Sequence, residues 1–144
     1  MAFCVFGDRG RVGKWVMERI PGMEMDDGLD YEAIGVCSDE GELIAGVVFN
    51  HFTGYDISMH VAADRGRLWA TPGVMKTIFG YPFNQLQCRR VTGFVSAINK
   101  ATLRFDLKIG FVIEGRLRDA TPEGDMIVIG MTRNECRWLG NNHG

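Results

Sequence analysis

Three groups of residues in this chain could carry out phosphate, thiol or proton chemistry, and their spacing decides which of these is open to them. The first is the glycine-rich stretch Gly7-Asp8-Arg9-Gly10-Arg11-Val12-Gly13-Lys14. A phosphate loop needs a glycine five positions before its Gly-Lys pair and a Ser or Thr after it to hold magnesium. Those positions are Asp8 and Trp15 here, and glycines at 7, 10 and 13 do not fit a dinucleotide fingerprint either, so the stretch is read as a plain turn. The second group is Cys4, Cys37, Cys88 and Cys136. They are widely separated, with no C-x-x-C pair and no histidine spaced to complete a zinc set, so we expect buried thiols and no metal site. No cysteine is placed beside a histidine as a nucleophile would be. The third group is the histidines. His60 lies in Asp56–Ala62, where polar and apolar residues alternate, so Asp56, Ser58 and His60 share one face of a strand and Ile57, Met59 and Val61 the other. Imidazole titrates near neutrality, which makes His60 the best placed general base, with His51 and Asp56 as substitutes. The competing reading is a structural strand histidine.

The surrounding pattern supplies elements to hold these groups. Ala2–Phe6 reads as a strand, followed by a helix with Val12, Val16 and Ile20 at i, i+4 that stops at Pro21. Ala33–Cys37 and Leu43–Phe49 form an antiparallel pair around the turn Ser38–Glu42. Thr71-Pro72 is an N-cap with proline at the first helical position, and Pro82 kinks or ends the helix it opens. Val91–Ile98 is a strand and Asn99–Ile109 a helix, with Lys100, Arg104 and Lys108 as its exposed row and Gly110 at its C-terminal cap. Phe111–Asp119 and Met126–Arg133 are the last strands, linked by Ala120–Asp125. The strand, helix and strand within 56–98 predict a crossover between parallel strands, flanked by antiparallel hairpins, in one α/β (α+β) domain.

Composition agrees with a single domain over 1–139 and a flexible tail at 140–144. The chain has 144 residues, 46% hydrophobic, enough for one core and too few for two. A net charge of -2 gives no general attraction to nucleic acid or anionic membrane. Val91-Thr92-Gly93-Phe94-Val95 echoes an RNA-binding strand but lacks its second aromatic and its basic residue. No apolar run reaches the ~18 residues of a membrane span, so a cytoplasmic protein is expected.

The C-terminal half carries a more specific pattern. Asn99-Lys100-Ala101-Thr102-Leu103-Arg104-Phe105-Asp106-Leu107-Lys108-Ile109-Gly110-Phe111 opens on Asn, has a small hydroxyl residue three on, and closes on Gly-Phe. This resembles the fourth-helix signature of the GNAT acetyltransferases. Val112-Ile113-Glu114-Gly115-Arg116-Leu117-Arg118-Asp119-Ala120, then Gly124-Asp125 and Gly130-Met131-Thr132-Arg133, are similar to the ending of the branch that includes ribosomal-protein N-terminal acetyltransferases. Tyr81-Pro82-Phe83-Asn84-Gln85-Leu86 looks like short phage-encoded members. The resemblance spans roughly residues 57 to 133.

What the resemblance implies is a GNAT-like mixed central sheet, acetyl coenzyme A as co-substrate, and direct acetyl transfer to a primary amine of a small molecule or a protein N-terminus. Asn99 and Thr102 would face the coenzyme arm. The pyrophosphate would lie on Arg65, Gly66, Arg67, Trp69 and Ala70 at the helix N-terminus at Thr71, where free N–H groups and the positive dipole end suit an anion. Trp69 either covers the pantetheine arm or anchors the core. A backbone N–H near Val61 would polarise the thioester carbonyl, where that strand splays from its parallel neighbour. The chain departs from the family at Leu68, where a glycine is usual, and at Asp106, where many members place a tyrosine as thiol acid. Aspartate is a poor proton donor near neutrality, so Thr102 takes that role, against the plainer reading of a helix-interior threonine. His51, Tyr55 and Asp56, with the first helix, the loop Gly22–Asp30 and Arg133, would bind the acceptor. Asp26, Asp27 and Asp30 would attract a cationic amine or simply form a solvated loop. The N-terminal half is short for the superfamily, so a homodimer is expected if a second subunit completes the acceptor pocket. The alternative is a catalytically degenerate coenzyme A-binding or interaction module.

Overall fold

The structure, a computed structural model, describes residues 2–20, 23, 30–64, 66 and 68–140. Its strands are β1 (Phe3–Val5), β2 (Tyr31–Cys37), β3 (Leu43–Asn50), β4 (Ser58–Ala63), β5 (Arg90–Ser96), β6 (Val112–Thr121) and β7 (Gly124–Thr132). They form one sheet in the order β1-β2-β3-β4-β5-β7-β6. Every neighbouring pair is antiparallel except β4 and β5, which run parallel. The helices are α1 (Arg9–Met17), α2 (Pro72–Gly80) and α3 (Lys100–Ile109). This is the mixed α/β sheet, with one helix-linked parallel pair between hairpins, that the sequence pattern predicts.

The two faces of the sheet are covered differently. Val12 and Val16 of α1 pack with Ala33, Val48 and Ala62 on one face. Val74, Met75, Ile78 and Phe79 of α2 fill the other with Ile34, Val47, Phe49, Ile57 and Met59, and Leu103, Phe105 and Ile109 of α3 pack at the edge of that cluster. On the α1 face the strands must be nearly bare: a Cβ on Gly46 would stand 2.8 Å from Val16 Cγ2 and one on Gly35 2.9 Å from Val12 Cγ2. Glycine there lets the helix approach the backbone closely.

Some boundaries differ from the sequence expectation, each for a local reason. Gly10, Gly13 and Lys14 lie inside α1, not in a turn before it. Gly13 is buried, and a Cβ on it would meet the Tyr31 ring at 2.9 Å, so the glycine spacing serves packing. Pro82 does not end the helical path: after Gly80 the chain continues through a wide turn, Tyr81–Gln85, closed by Leu86 N–H donating to Tyr81 O at 3.0 Å. The β6–β7 link is only Pro122 and Glu123. Thr121 Oγ1 donates to Gly124 O at 3.0 Å, and Gly124 takes φ 137, so the strands run on to the turn. The loop around Asp26 and Asp27, the positions Arg65 and Arg67, and residues 141–144 lie outside the described residues.

Candidate functional site

The parallel pair β4–β5 separates soon after it forms. Its register is Ser58 with Thr92 and Met59 with Gly93, and pairing stops there although both strands continue. Backbone directions fix what faces the opening. Asp64 N–H donates to Ile44 O at 3.0 Å, so even-numbered residues along β4 aim their N–H groups at β3. Odd-numbered residues therefore aim theirs at β5, consistent with Thr92 N–H donating to Ile57 O at 3.0 Å. Val61 lies two residues beyond Met59, the last paired residue of β4, and its N–H points into the gap.

Below the gap, on the α2–α3 face, lies a cleft of about 240 Å³. Val61, Gly66, Trp69, Gly93, Thr102 and Asp106 are among its lining. Sites for whole small ligands run to roughly 300–1,000 Å³, so a cleft of this size takes an arm of a molecule and leaves its bulk outside. Gly93 forms part of the floor: a Cβ there would point at Ile129, 3.0 Å from its Cγ1. Trp69 is 4% exposed, donates from Nε1 to Gly66 O at 3.0 Å, and lies against Phe105 at 6.0 Å between ring centroids. It is at once a core anchor and a cleft wall. Thr102 and Asp106, one turn apart on α3, both reach the cleft, and Asp106 is buried.

The ends of α2 and α3 are capped by their own residues. Thr71 Oγ1 accepts from Val74 N–H at 3.2 Å, a cap that contributes about 1 kcal/mol to helix stability. Asn99 Oδ1 accepts from Thr102 N–H at 3.2 Å, so the Asn99 side chain holds the start of α3. Ala70 and Thr71 lead into the helix N-terminus, which could hold an anion, but neither lines the cleft.

His60 faces the other side of the sheet, the α1 side, opposite Val48. Its Nε2 is 2.9 Å from Asn50 Oδ1 and its ring stacks on Phe94 at 6.3 Å. An amide oxygen can only accept, so Nε2 carries the proton and Nδ1 keeps the lone pair. Burial, with a smaller contribution from His51, pushes the imidazole down to about 4, so it is neutral at pH 7. The gap brings Val61 and Thr102 together, with His60 and Phe94 on its far side.

The remaining expected residues sit elsewhere. Asp56 precedes β4 and receives Thr92 Oγ1 at 2.8 and 3.0 Å, with Arg90 Nε 3.6 Å away. Arg90 in turn binds both oxygens of Glu114. These contacts close the base of the β4–β5 pair. Tyr55 is exposed beneath Arg89, 4.6 Å from its ring centroid, and exposed His51 lines a separate groove with Glu32, Phe52 and Tyr81. Asp30, also exposed, lines that groove too. Sequence reasoning missed Asn50 and Gly93. The first needed the strand register, whereas the second carried a signal, a lone glycine inside a strand.

No metal-binding group of His, Cys, Asp or Glu occurs among the described residues, and no helix among them is long and apolar enough to cross a membrane. Burial pushes the thiols of Cys4, Cys88 and Cys136 up, and no cysteine lines the cleft among the described residues.

No protein-family model matches the chain, and no curated protein matches it in sequence. Solved structures do. A chimera of the Vibrio cholerae spermidine N-acetyltransferase SpeG and hSSAT superposes with a TM-score of 0.75 at 13% identity, over 96% of this chain and 98% of its own. Spermidine/spermine N-acetyltransferase SpeG from Vibrio cholerae in complex with manganese ions gives 0.72 at 13%, over 91% and 92%. A point mutant of the Vibrio cholerae enzyme gives 0.77 at 13%, over 99% and 98%. At such identity the likeness is one of fold, and the chain has the fold of these N-acetyltransferases along nearly its whole length.

Proposed function

We propose that the protein is an acetyl coenzyme A-dependent N-acetyltransferase acting directly on a primary amine. The observation that carries this reading is the early end of β4–β5 pairing, which opens a cleft beside Thr102 and turns the Val61 N–H into the gap. The cleft suits a narrow arm ending in a thioester, with the anionic bulk held outside near the start of α2. Acetyl coenzyme A supplies the activated acyl group. Val61 N–H donates to the carbonyl oxygen as it gains negative charge, a fixed donor of the kind worth several kcal/mol in a dry site. His60 Nδ1 takes the proton released as the amine nitrogen bonds to the acyl carbon. Thr102 relays a proton to the sulfur as the carbon–sulfur bond breaks, its own hydroxyl being reprotonated by solvent, to which His60 returns the proton taken from the amine. Because His60 and Thr102 lie on opposite faces of the sheet, the two reactants approach from opposite sides and meet in the gap.

The acceptor is an amine. Spermidine belongs on the first panel because the structurally similar enzymes are spermidine N-acetyltransferases, and a peptide with a free N-terminus belongs there because the Gly-Phe ending resembles the N-terminal acetyltransferase branch. The remaining assignments, Arg65, Gly66, Arg67, Trp69, Ala70 and Thr71 for the coenzyme and His51, Tyr55 and Asp56 for the acceptor, belong to the same proposal. The test is thermal shift with acetyl coenzyme A together with thiol release across the panel. A rise of several degrees and amine-dependent thiol release are expected. No thermal shift removes the co-substrate. A shift without turnover favours the second reading, a binding module, to which Leu68 and Asp106 at the departing positions point.

A further inference from the structure

The C-terminal end of α1 is tied to the end of β4 by a fork of hydrogen bonds. Arg19 Nε and Nη2 donate to Asp64 Oδ1 and Oδ2 at 2.7 and 3.1 Å, and Nη1 donates to Trp15 O at 3.0 Å. The guanidinium carbon lies 3.6 Å from the centroid of the Trp15 ring. Asp64 is held from its own backbone as well, by N–H donation to Ile44 O. Most exposed ion pairs contribute little, because two long side chains must be immobilised. Here the stack on Trp15 and the bond to its carbonyl already fix the guanidinium, and the carboxylate is met by two parallel donors, the geometry in which such pairs count.

Position gives this contact its meaning. Asp64 is the first residue after β4, and the chain leaving it passes Gly66 and Trp69, both walls of the cleft, before Thr71 caps α2. At the other end of the contact, Arg19 stands just beyond α1, about one turn past Val16, by which that helix packs on the sheet. We propose that Arg19 is a positioning residue for the co-substrate: by gripping Asp64 at the end of β4 it holds in place Gly66 and Trp69, the cleft walls that follow. The inference rests on the coenzyme A reading for its ligand but not for its mechanical part.

The experiment compares Arg19→Ala, Arg19→Lys, Asp64→Asn and the double variant Arg19→Ala/Asp64→Asn in the full chain. Its readouts are acetyl coenzyme A affinity, the KM and kcat of acetyl transfer, and ligand-free hydrogen exchange of the Gly66 and Leu68–Ala70 amides. Arg19→Ala is expected to raise Kd and KM for acetyl coenzyme A about five- to tenfold with kcat held within about twofold, and to speed exchange of those amides by a similar factor. Arg19→Lys recovers only part, since one ammonium cannot span both oxygens, and the double variant is no worse than Arg19→Ala alone. Unchanged affinity with unchanged exchange in both Arg19→Ala and Asp64→Asn overturns the proposal, as does a fall in kcat at unchanged KM. If the unaltered protein does not bind acetyl coenzyme A, the co-substrate reading falls, while faster exchange in Arg19→Ala still upholds the grip on the wall and unaltered exchange refutes it. Should Arg19→Ala fail to fold, Arg19→Lys and Asp64→Asn carry the same comparison.

Discussion

A histidine held near pKa 4 is neutral from pH 5 upward, so His60 can receive a proton at neutrality but cannot be the group whose titration shapes activity around pH 7. Replacing it with glutamine should lower kcat about a hundredfold and leave acetyl coenzyme A binding within about threefold, as read by initial rates and by titration. The same burial affects stability. With the folded pKa below the ordinary 6.5, the unfolded chain binds more protons between pH 6.5 and 4, so stability is full above that window and is lost as pH falls through it. A melting series from pH 7 to 4 should show this loss in the parent protein and a shallower one in His60→Gln; equal slopes would mean that His60 is not the buried neutral group. Thr102→Val keeps the shape and removes the hydroxyl, and should lower kcat about tenfold or more without weakening co-substrate binding. Strand alternation put His60 on one face of its strand because that depends on local periodicity, whereas Thr102 was singled out by its resemblance to the small hydroxyl residue of the fourth-helix signature. Asn50, the partner that fixes the His60 tautomer, was not legible, since it meets His60 only through the β3–β4 register.

The cleft depends on elements joined at one end and parted at the other. Asp56, Thr92, Arg90 and Glu114 form a continuous polar chain across the base, and Gly130 lies beneath the Arg90–Glu114 pair, where any Cβ would collide with both side chains. Asp56→Ala leaves the Thr92 hydroxyl without its carboxylate acceptor and should cost about 1–3 kcal/mol in denaturant unfolding. Gly93→Val, by contrast, adds bulk against Ile129 in the cleft floor. It should abolish the thermal shift with acetyl coenzyme A while the far-ultraviolet circular dichroism stays that of the parent, and retention of the full shift would refute the placement of the cleft. The element order and the parallel pair were readable from apolar runs and the Thr71-Pro72 and Asn99 caps. The extent of β6 and β7 was not, because Ala120–Asp125 has turn composition throughout, whereas the reversal needs only Pro122 and Glu123, with Asp119 held in a left-handed kink by Asp125.

At the scale of the whole molecule, direct transfer requires both reactants to be bound together. Initial rates varied in both substrates should give intersecting lines, and intact mass after incubation with acetyl coenzyme A alone should show no acetylated protein; a covalent acetyl adduct on a cysteine would contradict direct transfer. The sheet itself can be seen as two antiparallel blocks, β1 to β4 and β5 to β7, sewn together along a seam whose stitches are gathered at one end, from Tyr55 and Ile57 bonding to Arg89, Arg90 and Thr92 up to the Met59–Gly93 pair. Under tension a fabric tears where stitches are fewest. A ligand lying in the gap and accepting from the Val61 N–H would add a stitch at that weak line, so the protein finished by its substrate should resist being pulled apart across the seam far better than the protein alone.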